Sequence, residues 1–357
     1  MTRATTTMMT RLLVLSLSLL WVCGCRIERG PSTTKAASST SDQIAGRVVL
    51  YTSAYREVTD GLVALAKTEL PDVELVVFQG GSEKVASRLD ADIAAGKAGA
   101  DVLLVSDPFL YRRLKREGRL LPYASPRATP IDRRLVDVDN AFVAARVSTM
   151  VIAHHTGTTP RAQVPTSLTK LLKGELADSA DVAFGDPLSS GTAFMTAVVV
   201  GDGDVSFLRA LRARGAAVAG GNAVVLQRVL AGERRFGVVL LENVLLARAR
   251  GEPVGFVLPD DAVTIAGDIA IMNDSDNVAA ARAVVDLILG PAGQALIRGA
   301  DGRMHATDPR IAPPDDDVPA LRALLDQRPA DEALLTRVAA ERATILQTIE
   351  AALLHSP

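Results

Sequence analysis

The chain has 357 residues, 48% hydrophobic and 22% charged, which sustains packed cores for about two domains and excludes wholesale disorder. Its 39 Lys+Arg and 41 Asp+Glu leave a formal charge of −2 with no basic run, which excludes a nucleic-acid surface. The only cysteines, Cys23 and Cys25, exclude a disulfide framework and a four-cysteine zinc site.

Residues 1–11 carry Arg3 and Arg11 and no acid, and residues 12–22 (LLVLSLSLLWV) are almost wholly apolar. This is the layout of an export signal. The apolar run is about half the ~20 residues of a membrane-spanning helix. It ends in Val22-Cys23-Gly24-Cys25, which resembles a bacterial lipobox. Residues 1–24 are therefore predicted to be cleaved, leaving Cys25 as the lipidated first residue. Residues 26–46 are rich in Ser, Thr, Ala and Gly without apolar periodicity. Together with Cys25 they predict a flexible tether.

The folded part is expected to begin at Arg47. Residues 47–51 (RVVLY) predict a buried strand, 57–69 a helix, and 73–78 (VELVVF) a second strand broken by Gly80-Gly81. Ser82 is the expected N-cap of a helix bearing Val85, Leu89 and Ile93 on one face. Residues 101–105 predict a third strand that ends in Ser106-Asp107-Pro108. Further strands are expected at 148–153 and 181–184, in a second sheet, and at 236–241 and 268–272. Helices are expected at 192–200, 223–231 and 278–289, and from about 318 to the end. Strand–helix alternation with tight turns predicts an α/β fold with parallel sheets.

Several segments, in order and spacing, resemble the bacterial extracellular solute-binding proteins of ABC importers. They are 49–53 (VLYTS), 80–83 (GGSE), 100–102 (ADV), 117–123 (EGRLLPY), 186–193 (DPLSSGTA), 251–254 (GEPV), 269–271 (IAI) and 290–294 (GPAGQ). The branch with ferric-iron-binding and aminoethylphosphonate-binding members is the most similar. The resemblance implies a bilobal periplasmic-binding-protein fold, two α/β lobes with a hinge and a central cleft. It implies lobe one at 47–145 plus 262–310, lobe two at 146–261, and a C-terminal helical segment, 311–357, packed on the lobes. Crossings are then expected near Ala144–Val147 and Leu258–Ala262. Such a protein is a monomer that catalyses nothing and needs no cofactor. It closes around a solute and delivers it to a permease and its ATPase subunits. The lipobox adds a bacterial membrane as partner, with the chain exported and anchored on the periplasmic face or cell surface.

Within this frame, turns that follow strands and open helices are the expected ligand site, because free N–H groups and the helix dipole favour an anion. These are Thr52, Ser53 and Ala54 with Tyr55 beyond them, Gly80-Gly81-Ser82, and Ser189-Ser190-Gly191-Thr192. Asn222, Ser106, Asp107, Glu242 and Asn243 are placed at the same cleft. Each helix-opening turn could equally be an ordinary cap, and Glu242 a surface acid.

Iron-binding relatives use adjacent tyrosines of the second lobe. Here the tyrosines are Tyr51, Tyr55, Tyr111 and Tyr123, and the corresponding segment reads Leu241-Glu242-Asn243. The sequence thus favours a small anionic solute such as a phosphonate or phosphate ester. Iron held without the tyrosine pair, and a sensor or scaffold role, are the alternatives. His154-His155 is the one histidine pair, expected at a strand end on the surface, where alternation turns its rings apart. His305 and His355 stand alone. No Trp remains after the signal to stack a sugar, and no Arg but Arg56 lies in a candidate turn, which weakens a free amino acid. No Gly-x-Ser-x-Gly, Walker A or Gly-x-Gly-x-x-Gly motif points to an enzyme.

Overall fold

The computed structural model describes residues 44–176, 178–327 and 331–354. The predicted signal, Cys25, most of the tether and His355 lie outside them. The first stretch alternates β1 (Gly46–Thr52), α1 (Arg56–Glu69), β2 (Val73–Gln79), α2 (Ser82–Ala94), β3 (Val102–Val105) and α3 (Pro108–Arg116), with a short β4 (Leu120–Leu121). β1 pairs in parallel with β2 on one side and β3 on the other. Gly81, in extended conformation, is the N-cap of α2, and Ser82 is its first helical residue. The cap expected at Ser82 is thus shifted by one, because the helix opens as soon as the glycine turn is complete.

β5 (Val143–His155) follows, then α4 (Leu168–Lys173), β6 (Val182–Phe184), α5 (Gly191–Val200), α6 (Phe207–Ala213) and β7 (Ala217–Val218). Next come α7 (Asn222–Leu230), β8 (Phe236–Leu240), α8 (Leu241–Ala249), β9 (Val254–Val257) and β10 (Thr264–Met272). The remainder is α9 (Val278–Leu289), α10 (Pro291–Arg298), β11 (His305–Ala306), α11 (Leu321–Gln327) and α12 (Glu332–Leu354).

The strands run in the order β2-β1-β3-β10-β5-β8-β6-β7. β5 joins the two halves. Its first part pairs antiparallel with β10, from Val143↔Ile269 to Thr149↔Thr264. Its last part pairs with β8 and β9, from Met150↔Leu240 to His154↔Phe236 and from Ile152↔Val257 to His155↔Val254. The two sheets are therefore continuous through one strand. The apolar run of β5 reads as starting at Ser148 because a charged residue, Arg146, interrupts it. The strand in fact begins at Val143, and Arg146 is only 3% exposed.

One core lies under β1 and β3, where Leu50, Val58, Leu62 and Leu104 pack against Val284, Ile288 and Ile297 of α9 and α10. Another joins Phe184, Phe194, Val198 and Phe236 to Leu335, Val338 and Ile349 of α12. Full burial of such side chains contributes ~1.5–3 kcal/mol each. The core of the second half includes Phe109 of α3, which meets Phe194 of α5 edge-on at 5.4 Å. Arg342 of α12 lies over both rings and bonds to Glu83 at 2.7 Å and Asp107 at 3.1 Å. So α12 holds the second half by apolar contacts and an Arg337–Asp202 pair, and the first half by Phe109 and the charges around Arg342. His154 is buried, with Nδ1 2.7 Å from the Thr159 carbonyl, not on the surface as expected. The strand end is covered by its own following loop.

Candidate functional site

Loops from both halves enclose a cavity of about 240 Å³ at the crossing of β5. The first half supplies Ser53 and Tyr55 after β1, Gly81 and Ser82 at the start of α2, and Ser106 after β3. The second supplies Ser189, Ser190, Gly191 and Thr192 at the start of α5, Gly221 and Asn222 at the start of α7, and Leu240 and Glu242 at the start of α8. The starts of α2 and α5 face each other closely. A Cβ on Gly191 would stand 3.3 Å from both the Ser82 side chain and Glu83 Oε1.

The helices that open here are poorly capped. No side chain caps α1, α2, α7 or α8. Ser190 caps α5 only loosely, accepting from the Ala193 N–H at 3.4 Å. Elsewhere Asp107 caps α3 with two bonds and Ser167 caps α4, while α6, α9 and α10 also open without a side-chain cap. N–H groups left without side-chain partners and the aligned helix dipoles make this wall attractive to negative charge.

Hydroxyls and one amide complete the wall. Asn222 Nδ2 donates to Thr192 Oγ1 at 3.0 Å, and its Oδ1 accepts from the Leu240 N–H at 3.3 Å. Asn222 therefore ties α5 to β8 instead of capping α7. Ser53 Oγ accepts from the Ser106 N–H at 3.0 Å and from Arg146 Nη2 at 3.1 Å.

Arg146 itself comes from the middle of β5. Among the described residues no carboxylate lies within 4.0 Å of it, and its buried Nε finds no acceptor. Gly267 on β10 makes room for it: a Cβ there would stand 2.6 Å from Arg146 Cγ. Burial lowers the Arg146 pKa, against the opposing charge of Glu242. Ser106 Oγ is a second buried polar atom on this wall without a partner.

Glu242 is 1% exposed, so it is not a surface acid. Burial raises its pKa, while a 2.6 Å hydrogen bond from Ser148 Oγ, its own N–H and the Arg146 charge work the other way. Tyr55 is raised as well, by burial and then by Glu242, so its phenol stays protonated and donates to Asn243 Oδ1 at 3.3 Å. Among the described residues no three His, Cys, Asp or Glu side chains form a metal-binding group.

Five expected positions do not line the cavity. Thr52 and Ala54 are buried behind it, with Thr52 Oγ1 bonded to the Leu104 carbonyl and accepting from the Ala54 N–H. Gly80 sits at the end of β2, its N–H bonded to the Thr52 carbonyl. Asp107 is occupied by α3 and Arg342. Asn243 lies one residue behind Glu242, against Tyr55. In the other direction, Arg146, Gly221 and Leu240 line the cavity without having been singled out. For Arg146 a signal existed: a lone charge inside an apolar strand must be compensated once buried.

The fold is shared with solved structures of low sequence identity. Iron-bound HitA of Pseudomonas aeruginosa aligns with a TM-score of 0.72 at 17% identity, over 85% of this chain and 99% of that one. AfuA of Actinobacillus pleuropneumoniae, with fructose-6-phosphate bound, aligns with a TM-score of 0.69 at 19% identity, over 85% and 97%. The ferric binding protein of Campylobacter jejuni gives 0.68 at 16% identity, over 86% and 99%. These show a bilobal periplasmic-binding-protein fold. No functionally curated protein matches the chain. Residues 48–300 match a sequence family throughout, and with it the chain belongs to the bacterial extracellular solute-binding proteins.

Proposed function

We propose that this protein is the lipid-anchored receptor of an ABC importer and captures a small anion, such as a phosphonate or phosphate ester, between its lobes. The observation that carries this reading is Arg146, a buried guanidinium with no carboxylate within 4.0 Å among the described residues, facing a polar cavity. A buried cation of this kind is expensive unless a negative partner arrives. Uncapped helix starts and the Ser53, Ser82, Ser106, Ser190 and Thr192 hydroxyls surround the space such a partner would fill. At about 240 Å³ the cavity lies below the usual range for drug-sized ligands, which supports a compact solute. Glu242, across from Arg146, suits a hydroxyl or ammonium on the same solute. Closure by hinge bending through β5 and β10 would then exclude water. Of the structural relatives, HitA holds iron and AfuA fructose-6-phosphate, so fold alone does not choose.

The test is a thermal-shift panel of phosphate, phosphonates, sugar phosphates, carboxylates and ferric iron. A true ligand at ~100 times its Kd adds ~2.7 kcal/mol and raises Tm by roughly 5 °C. The expected result is a rise with a phosphorus oxyanion. A rise with iron and none with any anion would overturn the reading. Replacing Ser190 and Thr192 together with Ala should weaken the identified ligand by at least roughly tenfold, through lost bonds to charged oxygens. Unchanged affinity removes that turn from the site.

Anchoring rests on Cys25 and the preceding Val22-Cys23-Gly24. Cys25→Ser should move the protein from the membrane to the soluble fraction. Continued membrane association would defeat the lipid-anchor reading.

A further inference from the structure

β5 and β10 carry a second cavity on the face opposite Arg146. Strand alternation turns Val147 away from its neighbours Arg146 and Ser148. Val147 lines this cavity of about 370 Å³ together with Thr264, Ala266 and Asp268 of β10. Met195 of α5 and Leu335 of α12 close it, so both halves and the C-terminal helix meet around it.

Asp268 is the anomaly. It is 3% exposed, and among the described residues its carboxylate accepts no hydrogen bond and has no cation within 4.0 Å. The one bond made to this residue, from the Tyr111 hydroxyl at 2.5 Å, goes to its backbone carbonyl. The basic residues around the same cavity are committed elsewhere. Arg112 bonds to Glu332 and the Pro108 carbonyl, Lys115 to Asp137, and Arg134 to Asp132 and Asp326. Arg133 lies exposed at the mouth. A buried carboxyl without a donor is costly. The walls are otherwise largely apolar, and the donors not committed elsewhere, Thr264 and Arg133, make no bond to Asp268.

We propose that this rear cavity is a second ligand site, distinct from the interlobe cleft, for a small organic amine with an apolar body. The ammonium would donate to the Asp268 carboxylate, and the body would lie against Val147, Ala266, Met195 and Leu335. An anionic amphiphile of the same shape would meet the ionised Asp268 with like charge, so the comparison is made at pH 8, where that carboxyl is ionised.

The experiment titrates the full chain with n-hexylamine and, separately, hexanoate, followed by calorimetry and thermal shift. Saturable binding of the amine with none by the carboxylate is expected. Asp268→Asn should weaken the amine at least tenfold. Ala266→Leu, which leaves Asp268 in place and fills the cavity, should weaken it likewise. Equal response to amine and carboxylate, no response to either, or unchanged amine affinity in both variants overturns the proposal.

Discussion

Arg146→Met is expected to lower affinity for the cleft ligand by roughly a hundredfold or more, the equivalent of about 3 kcal/mol. Methionine keeps the unbranched stem that runs past Gly267 and removes only the charge and the donors. Arg146 Nη2 bonds to Ser53 Oγ, and Nη1 touches the Met304 sulfur, so neither protein contact satisfies the charge. The loss should therefore fall on binding more than on folding. Stability should change little or rise in the empty protein, since a buried unpaired cation disappears. Glu242 then loses a neighbouring positive charge, which favours its neutral form further. Calorimetric titration with the identified ligand, paired with urea denaturation of the empty protein, reads both quantities. Full affinity in the variant would take Arg146 out of the site and remove the main support for an anionic solute.

The second large effect concerns Asp268. Burial, then the negative charges of Glu332, Asp107 and Asp137 against the one relief from Arg112, push its pKa up to about 7. In the unfolded chain the group titrates near 3.8. Between these values the folded state holds a proton that the unfolded state releases. Stability is thus present below about pH 4, falls as pH rises through this window, and levels off above about 7. A shift of this size corresponds to about 4 kcal/mol at most. Asp268→Asn removes the titration. It should be more stable than the parent at pH 8 by about 2–4 kcal/mol, with the advantage shrinking toward pH 5. Glu83 and Glu242 are raised too, so the variant retains their share of the slope. Urea midpoints at pH 5, 6, 7 and 8 decide the matter. Parallel curves for the two proteins would show that Asp268 is not the titrating group.

Much of this molecule is legible from sequence. The helices at 191–200 and 222–230 and the strand at 236–240 lie within a residue of where apolar spacing puts them. Ser189, Ser190, Thr192, Asn222 and Glu242 gather at one cavity, as helix-opening turns after parallel strands would predict. What escaped depends on tertiary partners. Arg146 breaks the apolar pattern of β5, and nothing local says that Gly267 on a strand far along the chain leaves room for it. Asp107 stands after a strand like Ser53 and Ser106, yet it precedes a proline at a helix start. That pairing marks a structural cap, and the carboxylate is used up there. Asp268 opens the apolar run that marks β10 in the sequence, and only the packing of α3 and α12 over it reveals a carboxyl without a donor.

The mixed attachment of α12 also sets which of its contacts answer to the surrounding salt. Its grip on the second half combines an oily contact through Val338 and Ile349, indifferent to dissolved ions, with an exposed Arg337–Asp202 pair. Its grip on the first half runs through Phe109, through Arg342 to a half-buried Glu83 and a buried Asp107, and through Arg112 to an exposed Glu332. Mobile counterions weaken the charged contacts and spare the apolar ones. Added salt should therefore loosen the charged contacts that the terminal helix makes with both halves and leave its apolar seat in place.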